Sequence, residues 1–391
     1  MEITEWLDSL EDSWSVFAKR LSGNDTGLTG SHQVGFYLPK EVGFQLIPDL
    51  EGPPGTNPDV LLETVVDPVG DHRTIRAVWY NSGTRDEIRL TRWGGALSPL
   101  QNPENTGALL LVAFRAWGSV SAPPRCRVWL SRTPAEEDIA SAWLGEPVEP
   151  GAWVLVSARN VERREPRERQ EITQGDIPRQ WWTEFPTGDD ILAFVVDSLP
   201  AATGLEVDRR LLKRRELEFH VFGLVEKIHL LPRVADGFNA VDEFLAVAHS
   251  VTNRRKSRAG RSLELHLRHI FREEGVEFSH GAVIDGGKRP DFLFPGVGAY
   301  EDSRFPADRL RMLGVKTTLK DRWRQILNEA SRIDAKHLFT LQEGVSVPQH
   351  GEMKESGLQL VTPSSLHGRF PQEVRGEILS LSSFIESVRA L

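Results

Sequence analysis

Between Asn160 and Gly175 the chain loses nearly all of its apolar residues, and the hydrophobic patterning differs on the two sides of this break. The segment ERREPRERQEITQG carries mixed charge and little that could be buried, which suits a linker between independently cored units. A chain of 391 residues is too long for one ordinary domain and comfortable for two. The reading is therefore a first domain over 1–160, a linker over 161–175 and a second domain over 176–391.

The first part reads mainly as β structure. Arg127–Ser131 and Trp153–Ser157 alternate or run apolar at strand length, and Ala108–Phe114 reads as a buried strand. Clusters such as EGPPGTNP and LSPLQNPENTG punctuate them. Many strands with few helical patterns predict a barrel or closed sheet.

Past the break, Trp181, Trp182, Phe185 and Ile191 open a second core. Ser262 to Glu274 places Leu263, Leu267, Ile270 and Phe271 on one helical face, with Gly275 as the stop. Short strands are expected at Asp291–Pro295, Val315–Thr318, Leu338–Leu341 and Leu358–Val361, and an amphipathic helix from about Asp321 to Ile333. This order implies an α/β core with at least one parallel pair.

Composition removes several classes. Cys126 is the only cysteine, which excludes an internal disulfide and a cysteine-based zinc cluster. No apolar run approaches the roughly 20 residues of a membrane span, and MEITEWLDSLEDSW lacks the pattern of a signal peptide. A reducing cytoplasm fits. The net charge of −9 argues against a nucleic-acid partner unless charge segregates, and here it does. Basic runs stand at Arg209–Arg215, Asn253–Arg261 and Lys320–Gln325; each is also compatible with a solvated helix face. SGNDTGLTG lacks the GK[ST] ending of a P-loop.

Hydrolysis of a phosphodiester needs in-line attack by water and relief of charge on the phosphate oxygens. A carboxylate-held Mg²⁺ and a nearby lysine meet both needs, and Mg²⁺ takes only one or two protein carboxylates. Arg289-Pro290-Asp291 opens one apolar strand and Lys316 lies on the next. Neighbouring strands would let Asp291 and Lys316 converge, with Glu329 pointing back from the following helix and Glu264 as a fourth member. The alternative is a Pro-Asp turn, a lysine reaching solvent from a strand and two solvated glutamates. The usual PD-(D/E)xK arrangement also places a carboxylate two residues before the lysine. Here that position is Gly314, so the second carboxylate must come from elsewhere, and Glu329 is the best placed.

The blocks KRPDFLFP, VKTTLKDRWRQILNEA, HLFTLQEGVS and NRRKSRAGRSLELHL resemble the catalytic domain of the EcoRII family of restriction endonucleases. The likeness extends into the first half through KRLSGNDTGLTGSHQVGFYLP and TRWG...SPLQNPENTGALL. It implies a type IIE enzyme, a homodimer that cuts duplex DNA at CC(A/T)GG when a second copy of that sequence binds the N-terminal domain. The implied architecture is an N-terminal β-pseudobarrel of the plant B3 kind and a C-terminal α/β PD-(D/E)xK domain, the first partly blocking the catalytic cleft of the second. In that family the missing carboxylate comes from the following helix.

Carried over position by position, the likeness implies a catalytic set of Glu264, Asp291, Lys316 and Glu329, with Asp291 and Glu329 holding Mg²⁺. Lys320, Asp321, Arg322 and Arg324 match the base-reading element, as arginine pairs with guanine and aspartate accepts from cytosine N4. For Arg322 and Arg324 phosphate contact or helix pairing is the alternative, and Trp323 reads as core. Arg215 and Phe219 match a pair that clamps a base flipped out of the stack. Phe219 replaces a tyrosine of the family pattern, and core packing is its alternative role. Lys19, His32, Tyr37, Arg85, Glu87 and Arg89 fall on effector-DNA positions, while Gly83 and Ile88 replace lysines there. Three other readings stay open: a DNA-binding regulator with a silent nuclease fold, a repair or RNA-processing nuclease, and a metabolic enzyme.

Overall fold

The computed structural model describes residues 1–10, 12–29, 35–53, 55–82, 85–94, 98–118, 124–157, 160–163, 172–319 and 322–391. His32, Gly83, Lys320 and Asp321 lie outside the described residues, as does most of the charged break.

In the first half the strands are β1 (Trp14–Arg20), β2 (Phe36–Leu38), β3 (Asp59–Asp67), β4 (Asp71–Tyr80), β5 (Glu87–Thr91), β6 (Leu109–Arg115), β7 (Cys126–Leu130), β8 (Trp153–Ser157) and β9 (Asn160–Arg163). Among the described residues they form one sheet in the order β2-β5-β4-β3-β7-β6-β1-β8-β9, with β3 and β7 parallel and the other pairs antiparallel. In a flat sheet β2 and β1, six steps apart, would be separated by about 29 Å. Instead the rings of Phe36 on β2 and Phe17 on β1 meet edge to face at 5.9 Å. The sheet therefore curls until its far strands share one core, which also takes Leu38, Leu62, Ile75, Ile88, Val112, Val128 and Leu155. Its outer face is covered near the N-terminus by the helices Ile3–Asp8 and Pro134–Leu144, through Trp6, Trp129, Ala140 and Leu144. This curled sheet is the expected pseudobarrel.

The second half is built on β10 (Ser279–His280), β11 (Phe292–Phe294), β12 (Arg311–Val315), β13 (Lys336–Phe339) and β14 (Leu358–Val361), side by side in that order. β10, β11 and β12 pair antiparallel; β12, β13 and β14 pair parallel, as an α/β core requires. Both faces are dry. One packs Met312, Leu338 and Leu360 against Trp323, Ile326 and Met353. The other packs Phe292, Phe294, Leu313 and Phe339 against Leu263, Leu267, Phe271 and Phe384.

Ser262 to Glu274 is the end of a much longer helix, Val241–Glu273, which pairs with the helix Val207–Asp236. Gly275 does stop it: its φ is +65°, and Val276 donates its N–H back to the Phe271 carbonyl at 2.9 Å.

The helix expected from Asp321 to Ile333 is a correction. Among the described residues of this stretch the α-helix covers Trp323–Ile326, and Ala330 sits at φ +47°. The apolar spacing of Ile326, Ala330 and Ile333 is real, and all three are buried. However, Arg332 is captured by the carbonyls of Tyr300, Asp302 and Phe305, which draws the chain out of a helical path. The tertiary contact overrides the local periodicity.

Candidate active site

Asp291 immediately precedes β11, and the antiparallel register of β11 and β12 sets it opposite Gly314. Its Oδ2 accepts the Val315 N–H at 2.6 Å, so the carboxylate is fixed across the strand pair. Lys316 follows β12 directly, its own N–H donating to the Phe339 carbonyl at 3.0 Å. The Lys316 Nζ reaches to 3.8 Å from Asp291 Oδ2, with both side chains partly open to solvent. The expected convergence of these two residues is present.

Glu329 stands three residues past the short helix, its N–H donating to the Ile326 carbonyl at 3.0 Å. The Lys288 ammonium, held by the Asn328 carbonyl, ties this turn to the segment leading into Asp291. Burial, with repulsion from Asp291, pushes the Glu329 carboxyl up to about 7. Burial likewise raises Asp291; Glu264 adds to the rise, while Lys316 and the Val315 N–H oppose it. Carboxyls that repel one another in a half-buried pocket favour a bound cation.

Glu264 comes from the helix Val241–Glu273, where His280 Nε2 lies 3.3 Å from its Oε2. The His280 ring also lies on Phe292 at 4.9 Å, next to Asp291. Nothing in the sequence singled out His280; its position follows only from β10 pairing with β11.

Gly314 now has a physical explanation. A Cβ there would lie 2.4 Å from Ile326 Cδ1 and 3.0 Å from Ile326 Cγ1. Any side chain at this position would have to displace Ile326, and the element that fills the space is the one that leads on to Glu329.

Among the described residues no three His, Cys, Asp or Glu side chains form a ready metal cage. Asp291 and Glu329 are nevertheless an oxygen-only pair of mutually repelling carboxylates, with Lys316 beside them. That donor set fits Mg²⁺, which keeps most of its waters.

Of the base-reading candidates, Arg322 is half-buried. Arg324 is exposed, pairs with Glu352 at 2.8 Å and lies over the Trp323 ring at 4.5 Å. Trp323 is core, as expected. Arg215 and Phe219 share the helix Val207–Asp236; Arg215 is buried and pairs with Glu149 of the first half at 3.0 Å.

The basic run from Arg209 to Arg215 is solvated only in part, with Arg209 exposed. Arg210 and Arg214 are buried against Glu273 and Glu274 of the neighbouring helix, Arg214 with two bonds to Glu273 at 2.7 and 2.8 Å.

On the curled sheet, Lys19, Tyr37 and Arg89 line one cavity of about 280 Å³. Tyr37 pairs with Arg89 across β2 and β5. Lys19 lies over the rings of Phe36 and Tyr37 and bonds Asp25 at 2.7 Å. Arg89 pairs with Glu87 at 3.0 Å, while Arg85 is exposed over Tyr80. Glu343 and Arg369, from the second half, also line this cavity.

Comparison with known proteins agrees with the two-part architecture. Residues 222–385 match the family described as EcoRII C terminal, and residues 11–160 that described as Restriction endonuclease EcoRII, N-terminal. The chain is 44% identical over 397 aligned residues to the type II restriction enzyme EcoRII of Escherichia coli, covering 99% of this chain and 97% of the relative. It is 24% identical over 155 residues to the type II restriction enzyme SsoII of Shigella sonnei, covering 37% of this chain and 50% of that one. A solved structure of metal-depleted Ecl18kI with uncleaved, modified DNA aligns over 56% of this chain and 84% of its own, at 18% identity and a TM-score of 0.45. With a matching relative spanning both halves almost end to end, the chain belongs to the EcoRII family of type II restriction endonucleases.

Proposed function

We propose that the chain hydrolyses duplex DNA at CC(A/T)GG-like sites in a Mg²⁺-dependent reaction, with Glu264, Asp291, Lys316 and Glu329 as its active site. The observation that carries this is the meeting of Asp291 and Lys316 across β11 and β12, with Glu329 delivered by the turn that seals Gly314.

Asp291 and Glu329 would hold the ion, which when bound supplies charge neutralisation to the phosphate and activates water. The chain's own groups do the rest. The Val315 N–H fixes one oxygen of Asp291, so the carboxylate pays no reorganisation when DNA arrives. The Lys316 ammonium orients the attacking water or bonds a phosphate oxygen. Glu264, held by His280, adds a further carboxylate near Asp291. Arg322 and Arg324, with Lys320 and Asp321, read base edges beside the scissile bond. Arg324 would exchange Glu352 for a guanine or phosphate.

Residues 1–160 form the effector domain, 161–175 the linker and 176–391 the catalytic domain. Lys19, His32, Tyr37, Arg85, Glu87 and Arg89 bind the second DNA copy. Glu343 and Arg369 of the second half line the cavity of Lys19, Tyr37 and Arg89, so effector DNA competes with the second half for that surface. Cutting both strands calls for two active sites, hence a homodimer. The exposed apolar side chains Leu231, Val234, Val241, Phe244 and Leu245, at the turn between the two long helices, support such an interface.

The regulator reading is disfavoured because every position of the catalytic set is filled by a competent residue. The test is cleavage of plasmids carrying several CC(A/T)GG sites or none, with the ends mapped. Cutting confined to those sites is expected; site-independent cutting would contradict the assigned specificity.

A further inference from the structure

Arg258 lies on the helix Val241–Glu273, one side chain in the basic run Asn253–Arg261. Its side chain is only 7% exposed, yet the guanidinium is poorly satisfied. Nε has no hydrogen-bond partner, and the terminal nitrogens lie 3.8 Å from Glu149 and 3.7 Å from Glu218. It sits over the Phe219 ring at 4.5 Å from the centroid. Arg215, one helical turn before Phe219, bonds the other oxygen of Glu149 at 3.0 Å. Both guanidinium groups, Phe219 and Glu149 line one cavity of about 520 Å³ between the two halves.

The charges identify what this cavity is built for. Arg215 and Arg258 belong to the catalytic half, and so does Glu218, which is bonded by Ser262 at 2.7 Å. Glu149 comes from the first half, as does Glu146, a second carboxylate on this cavity. Burial pushes the Glu149 carboxyl up, but Arg215 and Arg258, with Arg20 of the first half, hold it below the ordinary range. Glu149 is the carboxylate that meets both guanidinium groups, 3.0 Å from Arg215 and 3.8 Å from Arg258. Once the halves part, Arg215 and Arg258 lose that shared partner and remain next to the Phe219 ring. Two adjacent guanidinium groups that have lost their shared carboxylate favour a replacement anion.

We infer that Arg258 and Arg215 form a binding site for a DNA phosphate next to Phe219, and that Glu149 occupies this site as an internal substitute until DNA displaces it. The inference rests on the reading of the chain as a nuclease whose Arg215 and Phe219 receive an extruded base. It adds Arg258 as a DNA contact and names the group that competes with DNA. A planar guanidinium suits a phosphodiester as well as a carboxylate, which allows the one to replace the other.

The test uses the full chain with Glu149→Gln, Arg258→Gln, Arg258→Lys and the double variant Glu149→Gln with Arg258→Gln. Two quantities are read: the cutting rate on a single-site plasmid, and the salt dependence of duplex binding with Ca²⁺ in place of Mg²⁺. Glu149→Gln is expected to speed single-site cutting about tenfold or more. Arg258→Gln should lower the slope of log affinity against log salt by about one, as loss of one phosphate contact does. Arg258→Lys should keep the slope, which separates a charge contact from loss of packing. The double variant should lose most of the gain of Glu149→Gln. Unchanged single-site cutting by Glu149→Gln, in a chain whose wild type cuts multi-site plasmids, would overturn the role of Glu149. An unchanged salt slope in Arg258→Gln would overturn the phosphate site. A wild-type chain that cuts no plasmid would instead defeat the nuclease reading, and the salt slopes would still decide the phosphate site.

Discussion

Ile326 occupies the space that any side chain on Gly314 would need, its Cδ1 falling 2.4 Å from where a Cβ would stand. This one contact links the two unusual features of the site. The strand position that usually bears a carboxylate is sealed by the short helix Trp323–Ile326, and that helix leads the chain to Glu329.

Gly314→Ala should therefore destabilise the fold by about 1–3 kcal/mol through overpacking. Ile326→Val in the same chain should recover part of this by removing Cδ1. Denaturant unfolding of the single and double variants checks it. A Gly314→Ala chain as stable as wild type would show that Ile326 yields at no cost.

Gly314→Asp, which restores the common motif on paper, should not substitute for Glu329. The double variant Gly314→Asp, Glu329→Gln is expected to be as inactive as Glu329→Gln alone, because the added carboxylate has no room to face the site. Rescue of cleavage in that double variant would contradict the account.

Glu329 also makes a prediction about the metal-free protein. Its carboxyl is raised from 4.5 to about 7 in the fold, so the folded state holds a proton there that the unfolded chain has already lost. Its unfavourable contribution to stability thus grows as pH rises from about 4.5 to about 7 and is complete above that. Glu329→Gln should raise the unfolding temperature near pH 8 but not near pH 4.5, while weakening Mg²⁺ activation. Equal shifts at both pH values would show that the charge is not the cause.

His337 acts in the opposite sense. Burial, with repulsion from Arg311, lowers it from 6.5 to about 4, beside the Phe384 ring at 5.0 Å. Below about pH 6.5 the unfolded chain takes up a proton that the folded one refuses, so stability falls as pH drops towards about 4. The loss at full development is about 3 kcal/mol. His337→Phe should lose less stability than wild type between about pH 7.5 and about pH 4.5. Parallel losses would place the acid sensitivity elsewhere.

Much of this architecture could be read from residues close together in the chain. Trp153–Ser157 and Leu358–Val361 are strands over the expected residues, because their apolar runs are short and bounded by turns. Asp291 and Lys316 were legible because each sits at a strand end, and neighbouring strands bring such ends together. Distant contacts were not legible. The helix expected to reach Ile333 fails because Arg332 is claimed by carbonyls around 27 to 32 residues away. The basic run at Arg209–Arg215 reads as surface, yet Arg214 is sealed by Glu273, 59 residues on. Neither His280 beside Glu264 nor Glu149 against Arg215 leaves a local mark in the sequence.

The most direct test of the active-site assignment compares wild type, Asp291→Ala and Lys316→Ala on a plasmid with several CC(A/T)GG sites in Mg²⁺, alongside duplex binding in Ca²⁺. The account predicts that each substitution lowers cleavage by about a thousandfold or more while binding largely persists. Cleavage at near wild-type rates by either variant would show that the catalytic centre lies elsewhere in the chain.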